Sequence, residues 1–179
     1  GPTALLTVLE GLSPSVTAPT LIAQHMPPAF TAALAENIEK KCSRPSGEGK
    51  DGEILEPGHV YVAPRDKHMV LEKDGDAVRV RINEDPPENF CRPSADPLFR
   101  SAAGIFGAKI LVTVLTGMGS DGEAGSRKIA EAGGTVIAQN EETSVVWGMP
   151  RAVAQAGLCS HILPLPKIAG RLNKLAGGK

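Results

Sequence analysis

The sequence has few aromatic residues, no long apolar run and almost no net charge. Only 3% of its 179 residues are aromatic, and the formal net charge is −1. Single-stranded nucleic acids stack on aromatic side chains, and nucleic-acid or membrane surfaces attract clusters of Lys and Arg. No apolar stretch approaches the roughly 18 residues of a spanning helix, and the start has no signal-peptide pattern. We therefore expect no nucleic-acid binding and no membrane insertion, and we place the chain in the cytoplasm.

Closely spaced metal ligands and paired cysteines are also lacking. Cys42, Cys91 and Cys159 are odd in number and form no Cys-x-x-Cys pair, which is typical of unpaired thiols in a reducing compartment. The four histidines match no HExxH or similar ligand spacing. The spacing of these residues therefore predicts neither disulfides nor a structural or catalytic metal.

What is present is the composition of a globular α/β protein. Hydrophobic residues make up 41% of the chain and charged residues 22%, and this length suits one domain with a sizeable core. Short aliphatic runs alternate with segments of helical periodicity, without repeats or linkers. This pattern predicts a three-layer, doubly wound α/β fold over residues 1–179 with a mostly parallel sheet. Residues 69–82 are the exception, because alternating apolar residues around Asp74-Gly75 predict an antiparallel β-hairpin extension.

The expected elements follow from these patterns. The predicted helices are residues 1–11, 28–41, 93–106, 121–132, 150–156 and 166–175, and the predicted strands are 21–24, 61–63, 69–72, 77–82, 110–115, 135–138 and 161–163.

Two of the predicted strands lead into residues that are common in active sites. His25 follows the first strand directly, and Asp121 follows the strand over residues 110–115 within a Gly-rich turn. Ligands of open α/β sheets bind just beyond the carboxyl ends of such strands. A histidine base and an aspartate that orients it form two thirds of a Ser-His-Asp triad. We therefore expect this imidazole and this carboxylate to meet at one edge of a single sheet.

Each of these residues also has a structural interpretation. A histidine after a strand is often only a hydrogen-bonded structural residue, and an aspartate that opens a helix is often its N-cap. The serine of a triad is harder to assign. Ser120 is nearest to Asp121 but lies in no GxSxG turn, and Ser94 is typical of an N-cap for the helix that follows it.

A rival interpretation uses the same Gly-rich turn. Residues 117–122 match GxGxxG between a strand and a helix, and Glu141 follows the next strand, as in a dinucleotide-binding site. Against this, Asp121 would place a negative charge among the phosphates, and the motif comes late in the chain. A dinucleotide-binding or non-catalytic receptor-binding module therefore stays an alternative to an enzyme.

Several segments together resemble the catalytic domain of the bacterial chemotaxis protein-glutamate methylesterases. They occur in one order along nearly the whole chain, and HMPP and TGMGSDG are the most specific of them. The segments are QHMPPAFT (24–31), PGHVYVAP (57–64), DKHM (66–69), RPSADPLF (92–99), LTGMGSDG (115–122), AQNE (138–141) and WGMP (147–150).

The resemblance implies a serine hydrolase that demethylates glutamate γ-methyl esters on chemoreceptors and releases methanol. It also implies deamidation of receptor glutamines, with no metal or organic cofactor. By this likeness His25 is the base, Asp121 orients it, the backbone N–H of Met118 is an oxyanion donor, and Arg92 lies near the site and contacts the receptor. The implied partners are methyl-accepting chemoreceptors and, in many family members, an N-terminal phosphoacceptor receiver domain.

The chain departs from the family pattern at its start. The family nucleophile is the serine of a Ser-Thr-Gly-Gly-Pro turn after the first strand, and Gly1-Pro2-Thr3 resembles the tail of that turn. We therefore expect that strand, the serine and a second oxyanion donor to precede residue 1, and we expect no receiver domain within residues 1–179. The 179-residue chain is then expected to have a base without a nucleophile.

Overall fold

The computed structural model describes residues 2–177, apart from the side chain of Pro28; Gly1, at the start of the first predicted helix, lies outside the described residues. The helices are α1 (Pro2–Glu10), α2 (Thr31–Cys42), α3 (Ala95–Phe106), α4 (Glu123–Glu131), α5 (Met149–Gln155) and α6 (Leu165–Ala176), and a 3-10 turn (Pro28–Phe30) precedes α2. The strands are β1 (Thr20–Ile22), β2 (Ser46–Glu48), β3 (Val60–Val62), β4 (His68–Asp74), β5 (Ala77–Asn83), β6 (Leu111–Val114), β7 (Thr135–Gln139) and β8 (His161–Leu163). None of the helices within residues 2–177 combines the length and apolar character required to cross a bilayer.

The strands form two parallel sheets and one antiparallel hairpin. The first sheet has the order β1-β3-β2 and the second the order β6-β7-β8, so that β3 and β7 are the central strands. The predicted α/β class is confirmed, but the parallel strands do not form one sheet. Within residues 2–177, β1 and β6 each pair with one strand only, and they are edge strands of separate sheets.

The hairpin over β4 and β5 is confirmed as predicted. Its strands pair from His68 with Asn83 to Asp74 with Ala77, across a two-residue turn. Gly75 opens this turn with a φ of 61°, a conformation that a glycine adopts without steric cost.

One strand was not predicted. β2 lies in the Gly- and Pro-rich stretch after Ser43, whose left-handed backbone (φ 54°) ends α2. The side chains of Ser46–Glu48 are only partly buried, and the strand forms because β3 supplies its hydrogen-bond partners. Sequence periodicity cannot detect such a strand, because it carries no alternating apolar residues.

A hydrophobic core lies between each parallel sheet, or the hairpin, and the helices that pack against it. Buried aliphatic residues pack α1 and α2 on the first sheet, α3 on the hairpin, and α4 and α5 on the second sheet. The fully buried members include Ile38 and Val62 in the first cluster, Met69 and Val80 in the second, and Ile129, Val136 and Val153 in the third.

Helices α3 and α4 lie in close contact at Gly125. A Cβ atom at Gly125 would lie 2.6 Å from the Cβ of Phe99, which is closer than real Cβ contacts, and 3.0 Å from Oδ1 of Asp96, which is tighter than most of them. The glycine therefore allows α4 to lie against the first turns of α3. This contact matters for function, because Asp121 lies immediately before α4.

Two glycine substitutions test this packing. Gly125→Ala should lower the free energy of unfolding by about 1–3 kcal/mol, because the new methyl group overpacks the α3–α4 contact. Gly104→Ala is the control, since Gly104 lies exposed within α3 with no atom within 4 Å of its added Cβ. This variant should be stabilised by about 0.5–1 kcal/mol. Urea unfolding followed by circular dichroism measures both, and stabilisation of Gly125→Ala would contradict the close approach.

Candidate active site

His25 and Asp121, which follow β1 and β6, lie in direct contact. Nε2 of His25 is 2.6 Å from Oδ2 of Asp121. The side chain of His25 is 25% exposed, whereas that of Asp121 is 1% exposed. An ionised carboxylate only accepts hydrogen bonds, so Nε2 carries a proton and Nδ1 presents its lone pair. The arrangement leaves a histidine with one nitrogen held in the protein and the other available as a base.

The carboxylate of Asp121 accepts hydrogen bonds from a complete shell of donors. Besides His25, the hydroxyl of Ser94 donates at 2.7 Å, the amide Nδ2 of Asn89 at 3.0 Å and the backbone N–H of Ala95 at 2.7 Å. The N–H of Asp96 adds a longer bond of 3.3 Å. Two of these donors are the first backbone N–H groups of α3, which favour a negative charge at the helix N-terminus.

These contacts decide the ionisation of Asp121. Burial alone would raise the pKa of this carboxyl, but the hydrogen bonds from His25, the Ala95 N–H and Ser94 outweigh it and hold the pKa of Asp121 below its ordinary value. The prediction that Ser94 caps α3 with its own hydroxyl is wrong. That hydroxyl makes no capping bond and points to Asp121 instead, and it is the carboxylate of Asp121 that caps α3.

A second buried carboxylate, Asp96, lies beside the first. Its Oδ1 accepts the N–H groups of Gly122 at 3.1 Å and Gly125 at 2.7 Å, which are at the start of α4. Its Oδ2 accepts Nδ2 of Asn89 at 2.8 Å. Burial raises the pKa of Asp96, and the nearby charge of Asp121 raises it further. The two helices therefore exchange caps, because Asp121 precedes α4 and caps α3, whereas Asp96 belongs to α3 and caps α4.

This exchange counts against the dinucleotide alternative. In a GxGxxG site, the backbone N–H groups at the start of the helix bind the pyrophosphate. Here those of Gly122 and Gly125 already donate to the carboxylate of Asp96. A phosphate at this position would have to displace a buried negative charge.

A tight turn brings two further side chains to the site. Glu88 and Cys91 exchange backbone hydrogen bonds, and Asn89 and Phe90 between them have φ of 54° and 63°, as in a type I′ turn. The turn directs the Asn89 amide at both carboxylates and places Sγ of Cys91 3.8 Å from Nδ1 of His25. Arg100 holds Glu88 through two hydrogen bonds of 2.7 and 2.8 Å.

Sequence reasoning missed Asn89, Cys91 and Asp96 as site residues. Asn is favoured at the first central position of a type I′ turn, but the following position usually holds Gly, and here it holds Phe90. The turn signal was therefore weak, and the bonds that bring these three residues to the site, to His25, Asp121 and the start of α4, join positions distant in sequence.

The Gly-rich loop that contains Met118 is held by a neighbouring loop. The N–H of Gly117 donates to the carbonyl of Val146 at 3.0 Å, and the carbonyl of Gly117 accepts the N–H of Met149 at 2.8 Å. A Cβ at Gly148 would lie only 2.7 Å from the Gly117 oxygen. The Met118 side chain is exposed, and within residues 2–177 its backbone N–H donates to no acceptor. This N–H is available to a ligand.

Arg92 and Ser120 lie outside the hydrogen-bonded centre. The Nε of Arg92 donates to Asp66, and its Nη1 donates to the carbonyls of Glu84 and Asp85. These bonds tie the loop before α3 to the loops that flank the hairpin. Ser120 is exposed. The expected receptor contact of Arg92 stays a prediction.

This chain is similar in sequence and in fold to proteins of one known family. A family model described as CheB methylesterase matches residues 1–172. The chain belongs to the CheB methylesterase family. The family resemblance seen in the sequence is thereby confirmed.

Individual CheB methylesterase relatives are similar over nearly the whole chain. The protein-glutamate methylesterase/protein-glutamine glutaminase 1 of Rhodospirillum rubrum is 54% identical over 98% of this chain and 46% of its own length. A relative from Azospirillum brasilense, named as a protein of the same two activities, is 51% identical over 98% of this chain and 45% of its own length. The chain thus spans about half the length of the curated relatives it matches.

A solved CheB methylesterase structure has the same fold. The catalytic domain of Thermotoga maritima CheB methylesterase superposes with a TM-score of 0.95 at 38% identity, over 98% of this chain and 93% of that one. The predicted α/β class with its hairpin is confirmed by this match.

The two carboxylates should respond to pH in opposite directions. Because the folded-state pKa of Asp121 is lowered, its contribution to stability is present above the unfolded value of about 4 and is lost as the pH falls through the lower folded-state value. The pKa of Asp96 is raised, so the folded state gains relative stability as the pH falls through that raised value.

Urea unfolding of the wild type, Asp121→Asn and Asp96→Asn from about pH 6 to about pH 3 measures this. The stability advantage of the wild type over Asp121→Asn should shrink towards low pH. Relative to Asp96→Asn, the wild type should become more stable over the same range. Slopes of the same sign for the two variants would contradict the assignment.

Proposed function

We propose that this chain provides the catalytic domain of a protein-glutamate methylesterase. Its substrates are γ-methyl esters of glutamate side chains on chemoreceptors, and its products are the carboxylate and methanol. The observation that carries this proposal is the contact between His25 and Asp121 in a member of the CheB methylesterase family. The names of its relatives include both methylesterase and glutaminase activities.

The geometry supports acyl transfer through a covalent intermediate. Nδ1 of His25 takes the proton of a serine hydroxyl as its oxygen attacks the ester carbonyl, and Asp121 stabilises the imidazolium that forms. The N–H of Met118 donates to the oxyanion. The imidazolium then protonates the departing methoxide, and the methanol leaves. Water activated by His25 releases the glutamate carboxylate in the second half of the reaction.

The serine is the one that the family resemblance implies, in a Ser-Thr-Gly-Gly-Pro turn. Cys91 lies next to Nδ1 but is a poor substitute. Burial and the charge of Asp121 raise the pKa of the Cys91 thiol, and this thiol donates to the carbonyl of Asn89. A protonated thiol is a weak nucleophile. We therefore propose that the 179-residue chain by itself does not turn over.

The same chemistry extends to glutamine. Attack on a side-chain amide gives the same acyl-enzyme, with ammonia in place of methanol, and this supports deamidation as a second activity. The partners we propose are methyl-accepting chemoreceptors and a receiver domain, since the matched relatives are about twice as long as this chain. The proposed compartment is the cytoplasm, where the free thiols of Cys42, Cys91 and Cys159 stay reduced.

Methanol release from methylated receptors tests the proposal. Two forms of the protein are compared, namely the 179-residue chain and the same chain extended at its N-terminus by a strand and a Ser-Thr-Gly turn. We expect turnover from the extended form only. His25→Ala or Asp121→Asn in that form should lower kcat by roughly 10⁴-fold or more, because the base or its tautomer is lost.

His59→Ala is the matched control, since His59 pairs with Glu56 on the surface and should leave the rate unchanged. Near wild-type rates for His25→Ala would overturn the role of the base. Turnover by the 179-residue chain would show that the serine has been misplaced, and loss of that turnover in Ser120→Ala would identify Ser120 instead.

A further inference from the structure

The base of the proposed enzyme has a thiol beside it that the hydrolysis does not use. Sγ of Cys91 lies 3.8 Å from Nδ1 of His25 and 3.2 Å from the carbonyl oxygen of Asn89. One potential ligand atom each from His25, Cys91 and Asp121 lies within 4.8 Å of the others. A thiol and an imidazole that face each other in a partly exposed site are ligands for a soft divalent cation.

The separation of these two atoms fits a shared metal ion. Zinc binds sulfur at about 2.3 Å and imidazole nitrogen at about 2.0–2.1 Å, so two such ligands of one tetrahedral ion lie about 3.5 Å apart. The observed distance between Sγ and Nδ1 is 3.8 Å. A small rotation of either side chain closes a difference of this size.

The environment of His25 is already that of a metal ligand. Histidines that bind zinc through one nitrogen usually donate the other N–H to a carboxylate, which fixes the ring and increases the basicity of the bound nitrogen. Asp121 accepts the Nε2–H of His25 at 2.6 Å and is itself held by Ser94, Asn89 and the start of α3. The imidazole ring therefore does not have to reorient when Nδ1 binds an ion.

We propose that Cys91 and His25 form an inhibitory site for zinc or a similarly soft divalent cation. Binding releases the thiol proton to solvent, and the thiolate and Nδ1 each donate a lone pair to the ion. The thiolate and the Asp121 carboxylate together balance its double charge. Two protein ligands leave two tetrahedral positions to water, whereas structural zinc sites use four protein ligands. The site is therefore labile, and the fold does not depend on it.

The consequence for catalysis follows from the atom that is occupied. Nδ1 is the only nitrogen of His25 that can accept a proton from a nucleophile, because Nε2 is committed to Asp121. A cation on Nδ1 removes the base without disturbing the rest of the site. This inhibition rests on the proposed function, whereas the binding of the cation does not.

Metal binding is measured first, on the untagged 179-residue chain. Calorimetry with zinc chloride should give one ion per chain, and cobalt(II) in its place should show the charge-transfer absorption of a thiolate ligand. Cys91→Ser and His25→Ala should abolish both signals. Asp121→Asn should weaken zinc binding about 10–100-fold, because it removes the carboxylate that orients the histidine and balances part of the charge of the ion, while both metal ligands remain.

The other cysteines provide the controls. Cys42→Ser and Cys159→Ser should bind zinc and cobalt(II) like the wild type, since Cys42 packs with the first sheet and Cys159 with the second. Unchanged stoichiometry and affinity in Cys91→Ser would overturn the proposal, as would a cobalt(II) complex without the thiolate absorption.

Activity is measured second, on the chain extended with the Ser-Thr-Gly turn. Zinc should inhibit methanol release, a chelator should restore it, and Cys91→Ser should be resistant at zinc concentrations that inhibit the wild type. Equal inhibition of Cys91→Ser would overturn the inhibitory role. If the extended chain has no activity while zinc still binds through Cys91 and His25, the proposed function fails and the metal site stands.

Discussion

A buried negative charge at the start of α3 is the constraint on which the site depends. A carboxylate that is 1% exposed is stable only when donors replace the water it has lost. Within the described residues Asp121 accepts five hydrogen bonds, from His25, from Asn89 in the tight turn, from the Ser94 hydroxyl and from the first two N–H groups of α3. These segments belong to different parts of the chain. Satisfying one carboxylate therefore fixes the relative positions of both parallel sheets at the site.

The hydrogen bonds of Asp121 stabilise the fold and also prepare the site for its proposed chemistry. Asp121 is a helix cap, although of α3 and not of the helix that it precedes, and it also fixes the tautomer of His25. The structural and the catalytic interpretation of Asp121 are therefore compatible. Asp96 has the complementary position at α4, and Asn89 links the two carboxylates through a single amide nitrogen.

Sequence reasoning found what depends on local patterns. His25 and Asp121 were predicted as site residues because each follows a predicted strand, and the hairpin was predicted from the alternation of apolar residues around Gly75. Both signals extend over a few adjacent residues. It assigned Ser94 to a local cap, and the hydroxyl instead bonds a residue 27 positions away. β2 was missed because it depends on β3 for its pairing. The expectation of one continuous sheet rested on strand pattern alone, which cannot specify which strands pair.

The contact between Gly117 and Gly148 limits which residue this chain can hold at position 148. Their two loops meet backbone to backbone, with no space for a methyl group between them. A side chain at Gly148 would meet the backbone of Gly117 and Gly119, force the two loops apart and move the Met118 amide that lies between those glycines. The place of this amide is therefore set partly by the absence of a side chain in a different loop.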